Sequence, residues 1–298
     1  MGELKDILHE LEASVGSLSG EPAPLDGGIT NRNFRVRLGG EDYVLRLPGK
    51  DTELLGIDRD AERIANAAAA EIAIAPDVIA SAPQFLLTRF IECDSLGAEQ
   101  VAERVEEIAA ALSAFHESGV LLPTSFSVPL LLGEYARIVA ARGGTLPRGY
   151  ARAVLAAAQV HEALGAFDER PCHNDLLPSN LIAECSGGRT MIVDWEYAGM
   201  GDPRFDLGNL AVNNGFDEAA ERRLLGAYGG GAASDRELAG LRLMRVLSDA
   251  REGAWGAVQG VASELDFDFA AYADEHFERL DATVASDDFQ EWLAAARG

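Results

Sequence analysis

The sequence predicts an α+β fold in which a strand-rich N-terminal section precedes a larger, mostly helical section. Alternation of apolar and polar residues, which is typical of strands, recurs between residues 27 and 91. From residue 99 onward, apolar residues recur at three- and four-residue steps, which is typical of helices. The acidic stretch at 92–97 follows neither pattern, so we place a domain boundary there and predict two domains, 1–92 and 93–298.

The N-terminal section is predicted to begin with a helix and to continue as strands around a second helix. The first helix covers residues 3–16, and the second covers 58–72, where acidic residues occupy the first turn. The Gly39-Gly40 pair marks the turn of a hairpin. Strands are predicted at 34–38, 43–47, 78–80 and 85–91.

The C-terminal section is predicted to be helical with one β island inside it. The island is a hairpin of two apolar runs, 180–183 and 191–193, with polar residues at its ends. Helices resume after Asp206, and the glycine run at 229–231 is a loop. The clearest helices are predicted at 99–116, 132–141, 238–261 and 269–281.

The net charge of the chain is −24, because 49 Asp and Glu residues oppose 25 Lys and Arg residues. Such a field repels nucleic acids and anionic lipid surfaces, so we expect neither as a partner. We expect a soluble, cytoplasmic protein, since no apolar segment is long enough to span a membrane and three isolated cysteines indicate neither disulfides nor a zinc site. Composition leaves open the oligomeric state and whether the acidic charge reflects a high-salt cytoplasm.

Three polar residues around the β island carry the clearest chemical signal. Asn180 follows Asp175 by five residues, and Asp194 follows Asn180 by fourteen, which is the spacing of a kinase catalytic loop and its metal-binding Asp. In phosphoryl transfer the first carboxylate accepts the proton of the attacking hydroxyl, while the amide oxygen and the second carboxylate hold Mg²⁺ on the nucleotide. Taken one at a time, Asp175 and Asn180 also fit ordinary turn and cap positions.

Six segments extend this signal over nearly the whole chain. They are GGITNRNFRV at 27–36, YVLRLPG at 43–49, IDRDAE at 57–62, HNDLLPSN at 173–180, VDWEYAGMGDPRFDLGN at 193–209 and SDAREGAWGAVQ at 248–259. On these segments the chain resembles the choline and ethanolamine kinases of the aminoglycoside-phosphotransferase-like, protein-kinase-like superfamily. The resemblance implies a bilobal protein-kinase-like fold, ATP and Mg²⁺ as cofactors, and phosphorylation of the hydroxyl of choline.

The same resemblance implies how the N-terminal section holds the nucleotide. The first hairpin forms a lid, and the residues expected to bind phosphate there are Gly27, Gly28, Thr30, Asn31 and Asn33. Arg46 stands where most kinases carry Lys, and it is expected to contact the phosphates and to pair with Glu62. Purine contacts are expected from the backbone of Arg89, Phe90 and Ile91. The lid fits neither G-x-G-x-x-G nor a Walker sequence, and Arg46 and Glu62 also fit an ordinary surface ion pair.

The resemblance also implies where the acceptor binds. Its hydroxyl meets Asp175, and its cationic head lies against carboxylates and aromatic faces, which attract cations. The candidate residues for this site are Glu196, Tyr197, Glu252 and Trp255. Glu252 stands where eukaryotic choline kinases tend to carry Trp, and Tyr197 and Trp255 also fit ordinary core packing.

The histidines are expected to have structural positions. By resemblance, His173 braces the catalytic loop against Asp206. The other four show no metal-ligand spacing, so we expect them at the surface or at helix ends.

Two alternatives in function stay open. A kinase of this kind could take ethanolamine, thiamine, an aminoglycoside or another amino alcohol as its acceptor, because fold and motifs do not fix the substrate. The chain could also be a pseudokinase that binds nucleotide without transferring phosphate.

Overall fold

The computed structural model describes residues 2–25, 31–50, 52–185 and 188–297. Its N-terminal lobe is built on an antiparallel sheet of five strands in the order β1-β2-β3-β5-β4. The strands are β1 (Ala23–Leu25), β2 (Asn31–Leu38), β3 (Glu41–Pro48), β4 (Val78–Ala82) and β5 (Phe85–Arg89). The turn between β2 and β3 is Gly39-Gly40, where both residues have the positive φ that glycine adopts without strain.

Two helices complete the N-terminal lobe. Helix α1 (Gly2–Ser14) packs Ile7, Leu8 and Leu11 into the apolar cluster formed by the buried residues of β2, β3 and β5. A 3₁₀ turn (Thr52–Leu55) precedes helix α2 (Arg59–Glu71), whose first amides donate to the side chain of Asp58. One face of α2 consists of buried alanines that pack into the core of the C-terminal lobe, so this helix joins the two lobes.

The C-terminal lobe is a helical body around one long central helix. Its helices are α3 (Ala98–Glu103), α4 (Val105–His116), α5 (Val128–Ala141), α6 (Tyr150–Leu164), α7 (Arg204–Asn213), α8 (Glu218–Gly229), α9 (Asp235–Ala262), α10 (Phe269–Val284) and α11 (Asp287–Arg297). Helix α9 has 28 residues and contacts α5, α6, α7, α10 and α11. Its start is fixed by a capping box, in which Ser234 and Glu237 satisfy each other's backbone amides.

Two small antiparallel sheets lie where the lobes meet and carry the polar motifs. One has the order β6-β8-β9, and the other pairs β7 with β10. The strands are β6 (Cys93–Ser95), β7 (Arg170–Cys172), β8 (Leu181–Glu184), β9 (Thr190–Ile192) and β10 (Gly199–Gly201). Residues 173–180 therefore form a loop between β7 and β8, and residues 193–198 form a loop between β9 and β10.

The predicted α+β, bilobal kinase-like fold is confirmed, but several predicted elements differ in their bounds. Helices resume at Arg204, where α7 begins, rather than after Asp206. The helix predicted at 99–116 is two helices, because the backbone leaves the helical path at Arg104 (φ −101°, ψ 15°). The guanidinium of Arg104 reaches across to the carbonyl of Gly188 and to Thr190, which ties this break to the β island. Asn180 lies in a 3₁₀ turn (Pro178–Asn180) rather than in strand β8. The predicted boundary between residues 92 and 93 stays a prediction.

Within the described residues, no helix combines the length and the apolar character needed to cross a membrane.

Candidate active site

Helix α7 holds the loop at 173–180 through its first two turns. The carboxylate of Asp206 accepts hydrogen bonds from the backbone amides of His173 (2.8 Å) and Asn174 (2.7 Å). The side chain of Asn209, one turn later, accepts from the amide of Leu176. A buried carboxylate and a buried amide thus satisfy three backbone donors of the loop, which fixes its path.

His116 supports Asp206 from behind the loop. It is the last residue of α4, and its ring lies 3.0 Å from Asp206 Oδ2 and 2.8 Å from the hydroxyl of Tyr228. Burial alone would raise the pKa of Asp206, but the hydrogen bond from His116 and the nearby charges hold it below its usual value. His116 lies at a helix end, as expected, but it is fully buried rather than at the surface. The same expectation was wrong for His276, which is buried in the middle of α10 beside Asp249.

His173 connects the two polar loops. Its Nε2 donates to the carbonyl of Val193 (3.0 Å), and its Nδ1 accepts from the amide of Asp175 (3.1 Å). Burial lowers the pKa of His173, which agrees with a neutral ring in these two roles. The contact with Asp206 expected for His173 is made by its backbone, while its ring packs edge-on against Trp195.

Asp175 and Asn180 meet at the start of β8. The side-chain nitrogen Nδ2 of Asn180 donates to the backbone carbonyl of Asp175 (2.8 Å) and to Asp175 Oδ2 (3.1 Å). Burial raises the pKa of Asp175 to about 7, the carboxylates of Glu252, Asp194 and Glu196 raise it as well, and Arg251 opposes them. A carboxylate with this pKa can exchange a proton near neutral pH.

Asp194 has a left-handed backbone conformation (φ 67°), as does Asn174 (φ 68°). A non-glycine residue with positive φ is strained, and such residues persist where the surrounding contacts demand the conformation. Among the described residues, Ala73 is the third with this property, so two of the three lie in the polar loops.

Arg46 joins the N-terminal sheet to the loop at 193–198. Its Nη1 lies 2.8 Å from Glu62 Oε1 and 2.7 Å from Asp194 Oδ1. Burial alone would lower the pKa of Arg46, but the carboxylates of Asp194 and Glu62 raise it above its usual value. The structure therefore places the expected Arg46–Glu62 pair in the interior rather than at the surface, and it adds Asp194 as a second partner.

A second arginine continues this network toward the C-terminal lobe. Arg59 lies 2.7 Å from Glu62 Oε2 and 3.3 Å from Glu196 Oε2, and it donates to the side-chain oxygen of Asn31 (3.1 Å). Asn31 in turn donates to Glu196 Oε2 (2.7 Å). The IDRDAE motif contained Arg59, but nothing in the local sequence indicated partners 137 residues away.

The remaining expected nucleotide residues are placed as follows. Gly27, Gly28 and Thr30 lie outside the described residues. Asn33 lies on β2, and its side-chain oxygen is buried without a hydrogen-bond partner in the described part of the chain. The backbone amide of Arg89 donates to the backbone carbonyl of Asp77, and that of Phe90 donates to the backbone carbonyl of Asp42. These two amides are therefore not free for a purine base.

The expected acceptor residues gather beside Asp175. Together with two residues that sequence reasoning missed, they form what we call the acceptor cluster: Glu196, Tyr197, Arg251, Glu252, Trp255 and Tyr272. The indole of Trp255 donates to the hydroxyl of Tyr197 (2.8 Å), and the hydroxyl of Tyr272 donates to Glu252 Oε2 (2.7 Å). Burial raises the pKa of both tyrosines well above the usual value, so both stay protonated.

Arg251 and Tyr272 were missed for different reasons. Arg251 stands next to Glu252 in the SDAREGAWGAVQ segment, but an arginine is unexpected in a site for a cation. It lies 3.0 Å from Asp175 Oδ1 and also pairs with Glu252. Tyr272 carries no motif, and it reaches the cluster only because α10 packs along α9.

The residues fit a Mg²⁺ site. Both hydrogen bonds of the Asn180 side chain among the described residues use its nitrogen, which leaves the amide oxygen for a ligand. Asp194 supplies a carboxylate, and oxygen donors of these two kinds are those that Mg²⁺ prefers.

Comparison with known proteins agrees with this geometry. The model of the APH phosphotransferase enzyme family matches residues 21–247. A choline/ethanolamine kinase family protein from Mesorhizobium loti is 31% identical, with a TM-score of 0.80 and 99% of each chain covered. "Probable choline kinase 1" of Arabidopsis thaliana is 25% identical over 93% of this chain and 92% of its own. "Protein LicA" of Haemophilus influenzae is 29% identical over 68% of this chain, and the match spans 61% of that protein.

Proposed function

Because the chain belongs to the phosphotransferase enzyme family, and within it to the choline and ethanolamine kinases, we propose that it transfers the γ-phosphoryl group of ATP to the hydroxyl of an amino alcohol, with choline as the first candidate. The observation that carries the proposal is the position of Asp175. It lies between the oxygen ligands Asn180 and Asp194 on one side and an acidic, aromatic cluster on the other.

The geometry supports direct transfer. Asp175 accepts the proton of the acceptor hydroxyl while the hydroxyl oxygen forms a bond to the γ-phosphorus. The bond from that phosphorus to the β–γ bridging oxygen breaks, and its electron pair leaves with ADP. Arg46 places a permanent positive charge beside Asp194, where the phosphates would bind. Asn180 and Asp194 would hold Mg²⁺, which when bound neutralises charge on the phosphate oxygens.

Ethanolamine is a second candidate because of the residue at position 252. A primary ammonium group donates hydrogen bonds, whereas a trimethylammonium group cannot. Glu252 is 2% exposed and supplies a carboxylate in the acceptor cluster. A buried carboxylate suits a donor cation at least as well as a methylated one.

The test is ADP release by the purified protein with Mg-ATP and a panel of choline, ethanolamine, thiamine and kanamycin. We expect turnover with choline or ethanolamine and a loss of about 10²- to 10⁴-fold in kcat for Asp175→Asn, because the base is removed. Asp168→Asn, at an exposed position, is the matched control and should keep wild-type activity. Full activity of Asp175→Asn would contradict the proposed base, and tight binding of Mg-ATP without turnover of any acceptor would indicate a pseudokinase.

A further inference from the structure

The acceptor cluster contains a cation of its own. Arg251 lies on α9, is 2% exposed, and has its guanidinium carbon 4.2 Å from the ring centre of Tyr197. This distance is that of a cation–π contact. The face of Tyr197 that a substrate ammonium group would be expected to use is therefore already occupied by a positive charge.

The hydrogen bonds of Arg251 leave one edge of its guanidinium free. Nη1 alone serves both carboxylates, Asp175 Oδ1 at 3.0 Å and Glu252 Oε1. Nε and Nη2 are buried and have no hydrogen-bond partner within the described residues. A buried charged donor without a partner is unfavourable, so a partner from outside the chain is expected at this edge.

The free edge has a definite chemical preference. The Nε–H and Nη2–H groups of a guanidinium point in parallel, and this fork matches the two oxygens of a carboxylate. The edge faces away from Nη1, and so away from the two carboxylates that Nη1 binds. An anionic group of the acceptor would meet the fork without displacing Asp175 or Glu252.

The charges of the site allow a zwitterion. Asp175 and Glu252 share the single charge of Arg251. The neighbouring network is also acidic, because two arginines, Arg46 and Arg59, face three carboxylates, those of Glu62, Asp194 and Glu196. Around Arg251 one carboxylate charge is therefore in excess and is available for an ammonium group, and Tyr272, whose ring lies 5.6 Å from that of Trp255, offers aromatic surface beside Glu252.

We propose that Arg251 is a specificity-determining residue, and that the preferred acceptor is an amino alcohol that also carries a carboxylate. The carboxylate binds the Nε–Nη2 edge, the ammonium group lies near Glu252, and the hydroxyl meets Asp175. This inference rests on the proposed function and narrows its substrate class; the transfer step itself is unchanged, and choline and ethanolamine are poorer acceptors.

The test uses acceptors that differ by one group. L-Serine is ethanolamine with a carboxylate on the carbon that bears the amine, so the ratio of their kcat/KM values reports on carboxylate recognition alone. We expect the wild type to favour L-serine by at least tenfold. Arg251→Met should reverse this preference through a higher KM for L-serine, while Arg245→Met, on the same helix but paired with Glu221, should leave the ratio unchanged.

Arg251→Lys tests the same inference if Arg251→Met fails to fold. It keeps the positive charge beside Asp175 and Glu252 but lacks the fork, so the preference for L-serine should fall while the thermal unfolding midpoint stays near that of the wild type. A wild type that favours ethanolamine, or a serine-to-ethanolamine ratio that none of the Arg251 variants changes, would overturn the inference and leave the proposed function standing.

A binding measurement separates this inference from the proposed function. Thermal stabilisation by L-serine and by ethanolamine is measured in the presence of Mg²⁺ and a non-hydrolysable ATP analogue, for the wild type and Arg251→Lys. Stabilisation by L-serine that depends on Arg251, without turnover, would refute the proposed transfer, and with it L-serine as an acceptor, while it would support the recognition of a carboxylate by Arg251. Absence of stabilisation by either compound would overturn the inference.

Discussion

Replacement of Asp175 by Asn should stabilise the metal-free protein while it removes activity. The ionised carboxylate of Asp175 is buried beside Asp194, Glu196 and Glu252, and its pKa is raised to about 7 from 3.8. A carboxyl group whose pKa is raised on folding contributes stability to the folded state below pH 4, where it is protonated in both states. That contribution is lost as the pH rises through 7. Asn has the shape of the protonated acid and cannot ionise, so the variant does not lose this contribution.

The expected magnitude follows from the pKa shift. A shift of about three units corresponds to roughly 4 kcal/mol in total, at about 1.4 kcal/mol per unit. The penalty for ionising Asp175 builds up between pH 4 and pH 7, and about one third of it is present at pH 5. The stability gained by Asp175→Asn relative to the wild type should therefore grow by about 2 to 3 kcal/mol between pH 5 and pH 8. Other titrating groups, such as His173, are present in both proteins and cancel in the difference.

The assay is urea unfolding of both proteins at pH 5 and pH 8 in the presence of EDTA. Fluorescence and circular dichroism should give coincident transitions, which allows two-state free energies to be compared. Asp168→Asn is again the control, and its difference from the wild type should not grow with pH. A difference between Asp175→Asn and the wild type that is equal at both pH values would refute the reasoning, because it would show that Asp175 ionises in the folded protein as easily as in the unfolded one.

Two further predictions concern the support of the catalytic loop. Gly208→Ala should destabilise the protein by about 1 to 3 kcal/mol and lower kcat, because a Cβ there would lie 2.4 Å from Met244 Cβ and push α7 away from α9. The control is Gly240→Ala, where the nearest contact of the added Cβ is 3.6 Å. It should be neutral or stabilising when both variants are compared by thermal unfolding. His116→Ala should lose about 1 to 3 kcal/mol at neutral pH and raise the pKa of Asp206 toward its unfolded value, which urea unfolding as a function of pH would detect as a shallower loss of stability on acidification. An unchanged pH profile would contradict the role of His116.

The sequence predicted the helices and strands that are long enough to show a hydrophobic periodicity. It also predicted the motif whose members lie close together in the chain. Asp175, Asn180 and Asp194 fall within 20 residues, and the loop geometry that unites them is encoded locally. The strands β1, β6, β7 and β10 were not predicted, because each has three residues and is too short for an alternating pattern to appear. They exist because a partner strand satisfies their backbone hydrogen bonds.

The contacts that the sequence did not predict join residues far apart in the chain. The residues involved are of types that usually lie on the surface, so nothing in the sequence indicated their burial. His116 is separated from Asp206 by 90 residues, and Arg251 from Asp175 by 76. A histidine at a helix end and an arginine beside a glutamate are ordinary on a surface, and only tertiary packing buries His116 against Asp206 and Arg251 against Asp175.

Arg251 shows why a motif alone does not give the substrate. The REGAWGAVQ segment was interpreted through its acidic and aromatic residues, which suit a cation. In the folded chain the arginine of that segment occupies the aromatic face itself, neutralises part of the acidic charge, and presents a free edge for an anion. The same segment therefore indicates a cation when its residues are taken singly and a zwitterion when their contacts are counted, and the charge of the preferred acceptor decides between these two interpretations.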